Sequence, residues 1–140
     1  MGKRRLAREF CLQALYLSDT GRMTKEEVSS ALVESFRLDT ATQEFAGSLL
    51  AGTLDNLPEL DRMITEYAKN WSLSRMSAVD RSILRMSVYE ITHVPGTPVP
   101  AIIDEAIELA KKFSTENSGS FINGLLDRIK TERAKTADEK

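Results

Sequence analysis

Four cations fall within the first ten residues, Lys3, Arg4, Arg5 and Arg8, opposed there only by Glu9. The chain has 140 residues, with 19 Lys and Arg against 21 Asp and Glu, so the part beyond residue 10 carries 15 cations against 20 acids. An acidic chain that gathers positive charge at one end points to a polyanion, either nucleic acid or a membrane surface. Arginine suits phosphate because its planar guanidinium donates several hydrogen bonds and also stacks on bases. Tyr16 lies close to Arg5 in helical angle, three turns along. A cationic strip ending in an aromatic ring suits single-stranded RNA, whose unstacked bases accept side-chain stacking. The competing reading is a solvated helix start with Tyr16 in the core, and composition alone does not separate the two.

Other candidates for chemistry are weaker. There is no Gly-rich phosphate loop, no HExxH and no nucleophile elbow, so no enzyme is expected. Cys11 lies beside an apolar stripe and reads as an inert buried thiol. His93, the only histidine, borders a Pro-rich stretch; without cysteine partners it makes a poor zinc site and reads as a surface or capping group. Asp104, Glu105 and Glu108 resemble paired catalytic carboxylates but fit a solvated helix face, with Glu108 four residues before Lys112 as a helix-stabilising pair. No cofactor or metal is expected.

Composition sets the frame for these groups. A 41% hydrophobic and 29% charged chain of this length fits one ordinary globular domain. No apolar run approaches the roughly 20 residues needed to span a bilayer, and no long apolar segment follows the N-terminal charges as in a secretory signal. A single cysteine excludes an intramolecular disulfide, and the cytoplasm is the expected location.

The elements that must position the candidates are helices throughout. Helix one is expected over about residues 3–18. With Arg4 at zero and ~100° per residue, Leu6, Phe10, Ala14 and Leu17 share a sector of ~80°. Arg4, Arg5, Arg8 and Tyr16 share a second sector, roughly 0–120°, with Leu12 and Leu15. Gly21 ends this helix. Thr24 with Glu27 forms a capping box for a second helix through Val28, Ala31, Leu32, Ser35 and Phe36. Thr40 with Gln43 repeats the box for a third, with Phe45, Ala46, Leu49, Leu50, Thr53 and Leu54 inward. Gly47 and Gly52 inside it suggest close helix packing. Pro58 suits the first turn of a fourth helix, which Leu60, Met63, Ile64, Tyr67 and Trp71 continue as core residues. Ser77 and Asp80 open a fifth. His93–Pro100 must connect, helix six spans about 101–113, and polar residues 114–120 precede helix seven at about 119–133. The expected fold is all-α, about seven helices in two packed subbundles split near residue 57. Residues 1–133 form one domain, and 134–140 a frayed charged tail.

These blocks, in this order, resemble the NusB family of bacterial transcription antitermination factors. Arg4-Arg5-Leu6-Ala7-Arg8-Glu9 and Gln13-Ala14-Leu15-Tyr16 resemble its N-terminal motif. Trp71-Ser72-Leu73-Ser74-Arg75-Met76, then Val79–Arg85 and Tyr89-Glu90, resemble its middle block. Ile103–Phe113 and Phe121-Ile122-Asn123-Gly124-Leu125-Leu126-Asp127 are similar to its C-terminal signature.

The resemblance implies a non-enzymatic protein that binds boxA RNA together with NusE, a ribosomal protein, and supports ribosomal RNA operon transcription within an RNA polymerase antitermination complex. It implies RNA contacts at Lys3, Arg4, Arg5, Arg8, Tyr16, Arg85 and Phe121, with Asn117 and Lys111 as weaker candidates. Ser120 departs from the cation often found before the matching phenylalanine. NusB-like domains also open some ribosomal RNA methyltransferases, but in a chain of 140 residues that second domain is not expected. A purely protein-binding adaptor is the other alternative. An exposed cation–aromatic face also leaves a homodimer open.

Overall fold

The structure, a computed structural model, describes residues 2–28, 30, 39–69 and 71–139; the side chains of 116 and 134–139 are not included. Among the described residues all regular structure is helical: α1 (Gly2–Asp19), a turn of α2 at 25–28, α3 (Thr40–Asp55), α4 (Leu57–Tyr67), α5 (Ala78–His93), α6 (Val99–Phe113) and α7 (Glu116–Glu139), with a 3-10 turn at Leu73–Arg75. The expected inner face of the second helix, from Ala31 to Phe36, lies outside the described residues.

Local chemistry sets the boundaries. Gly21 has φ of +74°, Arg22 N–H donates to Leu17 C=O and Gly21 N–H to Ser18 C=O, the glycine-terminated closure that satisfies the last carbonyls of a helix. Thr24 and Glu27 form the reciprocal capping box as expected. The third helix differs: Asp39, not Thr40, is the cap, accepting from Thr42 N–H at 2.8 Å. Ser77 caps α5 by accepting from Asp80 N–H. Asp80 does not reach back; its carboxylate accepts from Ser114 and Ser118 at 2.7 and 2.9 Å. That tie explains why α7 begins before residue 119: Ser118 is buried against α5 rather than exposed in a polar break.

α5 is the shared element. It packs against α1, α3, α4, α6 and α7, while α1 pairs with α3 and α6 with α7. Ile83, Leu84, Met86, Val88 and Ile91 therefore bury several faces of one helix. Close approach matters at Gly52, where a Cβ would lie 2.1 Å from the Tyr89 ring; Gly47 meets nothing within 4 Å and has no such reason. Two expected core residues are on the surface. Leu6 is 37% exposed, and Trp71, beyond the end of α4, is 52% exposed. On α6, Leu109 is buried while Ile107 and Phe113 are only partly so.

Candidate RNA interface

α1 buries more of its circumference than one apolar stripe predicts. Ala7, Arg8, Phe10, Cys11, Leu12, Ala14 and Leu15 are all buried. At ~100° per residue this covers roughly 200°. The ridge left toward solvent is Arg5, Glu9, Gln13 and Tyr16. Cys11 is fully buried and burial pushes its thiol pKa well up, so it is inert.

The N-terminal cations divide by partner. Lys3 is largely exposed and pairs with Asp39 at 2.7 Å. The Lys3 hydrogen bond, with help from Thr42, holds the Asp39 carboxyl well below the usual carboxylate range. Arg4 is exposed, donates to Thr97 Oγ1 at 3.1 Å and lies 4.4 Å from the Phe45 ring centroid. Arg5 makes two 3.0 Å hydrogen bonds to Glu105, which lower the Glu105 pKa. Arg8 departs from the surface role expected of it. It is only 6% exposed, and its guanidinium grips Glu90, 1% exposed, through two hydrogen bonds, the Nε one at 2.9 Å. A bidentate pair this deeply buried is a core tie between α1 and α5, because a lone charge at either site would be costly.

Arg85 is likewise built in. It donates to Asp61 at 2.7 and 2.9 Å and to Asp19 at 3.0 Å. Asp19 also receives Arg81, at 2.6 Å, so four charges bind α1, α4 and α5 together. Burial pushes the Asp19 carboxyl up, but the hydrogen bonds and charge of Arg81 and Arg85 bring it below its ordinary value. Neither arginine offers a free face for a phosphate.

The remaining candidates line a band along α1, α6 and the start of α7. Between α1 and α6 runs a groove of about 270 Å³ holding Arg5, Glu9, Glu105, Lys111 and Lys112. Its charges are paired, Lys112 with Glu9 at 2.6 Å and Lys111 with Glu108 at 3.6 Å. Lys112 thus leaves the Glu108 pairing expected within the helix. Next along the band, Tyr16 lines an apolar cleft of about 290 Å³ with Leu12, Gln13, Leu17, Val79 and Phe113. One residue on, Asp80 lines a second recess with Asn117 and Phe121. Phe121 is half-buried and meets Trp71 edge-on, ring centroids 6.1 Å apart. Gln13, Lys112 and Phe113 belong to the band and were not expected. The signal for Gln13 was its place four residues after Glu9 on the ridge. His93 is the last residue of α5, far along the helix from Val79 and Asp80, and stacks on Tyr89 with ring centroids 4.8 Å apart. No cluster of metal-binding side chains occurs among the described residues, nor a helix long and apolar enough to cross a membrane.

Similarity to known proteins agrees with this arrangement. The NusB family model matches residues 5–131. The transcription antitermination protein NusB of Elusimicrobium minutum (strain Pei191) is 59% identical over 95% of this chain and 96% of its own length. The structure of NusB from T. maritima superposes with a TM-score of 0.84 at 40% identity, covering 92% of this chain and 91% of that one. A crystal structure of the antitermination factors NusB and NusE in complex with dsRNA matches with a TM-score of 0.83 at 26% identity, covering 92% and 96%. A family match along nearly the whole chain and the same helical architecture lead to one conclusion: the chain belongs to the NusB family of transcription antitermination proteins.

Proposed function

We propose that this chain is a non-catalytic RNA-binding antitermination factor. It binds a boxA-type single strand jointly with NusE and supports ribosomal RNA operon transcription within an RNA polymerase antitermination complex in the cytoplasm. The observation that carries the proposal is the near full-length match to NusB proteins, including one solved together with NusE and RNA. Residues 1–133 act as one binding module. Lys3, Arg4 and Arg5 supply phosphate contacts at the head of the band, Lys111 and Asn117 line it, and Tyr16 and Phe121 offer rings to bases. Arg8 and Arg85 serve it indirectly by fixing α1 against α5. Because Lys3, Arg5 and Lys111 are ion-paired, their contribution requires RNA to exchange for Asp39, Glu105 and Glu108. A second copy of the chain competing for the same face gives a homodimer that RNA dissolves. The test is titration of a labelled boxA-type strand against a scrambled one, with and without NusE. Preferential, NusE-enhanced binding supports the proposal; absence of either the preference or the enhancement rejects it.

A further inference from the structure

Trp71 is the only tryptophan in the chain, and more than half of it faces solvent. Leaving an indole in water forgoes burial of one of the largest apolar side chains. It is nevertheless held in place: its backbone N–H donates to Ala68 C=O at 2.8 Å and its ring meets Phe121 at an interplanar angle of 62°. Together Trp71 and Phe121 wall two recesses. One, of about 280 Å³, holds Lys69, Ser120, Gly124 and Arg128. The other, of about 240 Å³, holds Arg75, Ser77 and Asn117. Both are near the lower end of ligand-site volumes of about 300 Å³, the scale of one flat group rather than a large cofactor.

The charge around the ring differs from that of the α1–α6 groove. There every cation has an acid. Here Lys69 and Arg75 form no ion pair among the described residues, and Arg128 donates to the Tyr67 carbonyl. Asp80, which also lines the second recess, already accepts from two serines. An exposed indole ringed by uncompensated cations matches the requirements of single-stranded nucleic acid, in which a base stacks on the ring and the flanking phosphates meet the cations.

We propose that Trp71 is the stacking residue of an RNA subsite that continues the band beyond Phe121, with Lys69, Arg75 and Arg128 holding the flanking phosphates. This rests on the RNA-binding reading and names a part of the surface that the sequence assigned to the core.

The uniqueness of Trp71 supplies the readout. In one titration of the full chain with a labelled single-stranded boxA-type RNA carrying extensions at both ends, anisotropy reports all binding and indole emission reports the subsite. The expected result is quenching of Trp71 emission with the same midpoint as the anisotropy. Trp71→Ala should weaken Kd about 5- to 140-fold, with partial recovery in Trp71→Phe. Lys69→Gln and Arg128→Gln should each reduce the log–log salt slope by roughly 0.7. Rising anisotropy with unchanged emission and a Trp71→Ala Kd equal to the parent's overturns the subsite and leaves the RNA reading standing. No anisotropy change at low salt, even with NusE, removes both. Emission that responds to NusE alone and not to RNA assigns the ring to a protein contact and overturns the proposal.

Discussion

Replacing Arg8 with methionine distinguishes a core tie from an RNA contact. Methionine keeps most of the aliphatic length and removes the charge, so Glu90 loses its partner in a site where it is 1% exposed. Its only hydrogen-bonding partner among the described side chains is Arg8. Breaking one side of such a buried pair costs about 3–5 kcal/mol. Against a total stability of roughly 5–15 kcal/mol this is a large share, equivalent to a drop of roughly 10–20 °C in Tm. The double variant Arg8→Met with Glu90→Leu removes the orphaned carboxyl and should recover most of the loss, since hydrophobic replacement of a buried pair is often neutral. Urea unfolding followed by circular dichroism, with RNA anisotropy on the same samples, measures both quantities. A lowered midpoint is expected in the single variant, recovery in the double, and near-parental RNA affinity in the folded fraction. Parental stability with a weakened, less salt-dependent RNA affinity would refute the core tie and return Arg8 to the surface.

Further outcomes follow from particular contacts. Gly52→Ala places a methyl against Tyr89; overpacking of about 1–3 kcal/mol outweighs the helix gain of about 1 kcal/mol, so Tm should fall, whereas Gly47→Ala should raise it. Ser77→Ala removes the α5 cap and should cost about 1 kcal/mol in urea unfolding; a smaller loss than 0.3 kcal/mol, on the order of cap replacement by glycine, would discount the cap. The Asp19 and Glu105 carboxyls have lowered pKa values in the fold, so their stabilisation is present above the ordinary carboxylate value of about 4 and is lost as pH falls through the lowered values. Asp19→Asn should therefore flatten the stability–pH curve on its acid side, and an unchanged curve contradicts the role given to the four-charge network.

Sequence periodicity made the helices legible because each boundary carries its own chemistry: Gly21, the Thr24–Glu27 box, Pro58 and Ser77 all act where expected. The third cap falls one residue before Thr40 because Asp39 and Thr40 are both competent caps and only the backbone turn selects between them. The site was half legible. Charge density identified the head of α1, but it could not tell which guanidinium faces inward. Arg8 shares its helical sector with Leu12 and Leu15, and that grouping was the available sign that it turns toward the core. Its partner Glu90 sits some eighty residues away, and pairing over that separation is a property of the packed bundle. Trp71 failed for the opposite reason: an apolar residue at helical spacing reads as core, yet the helix ends at Tyr67 and carries the indole out to solvent.

Joint recognition of RNA by this chain and NusE is the proposed activity. Its most direct measurement is the Kd of a boxA-type strand for the chain alone and for the chain saturated with NusE, at matched salt, beside a scrambled strand. Tighter binding of the boxA-type strand is expected when NusE is present, with a coupling of about 1–3 kcal/mol, or roughly 5- to 150-fold. Equal affinities with and without NusE, or equal affinities for the two strands, would contradict joint recognition.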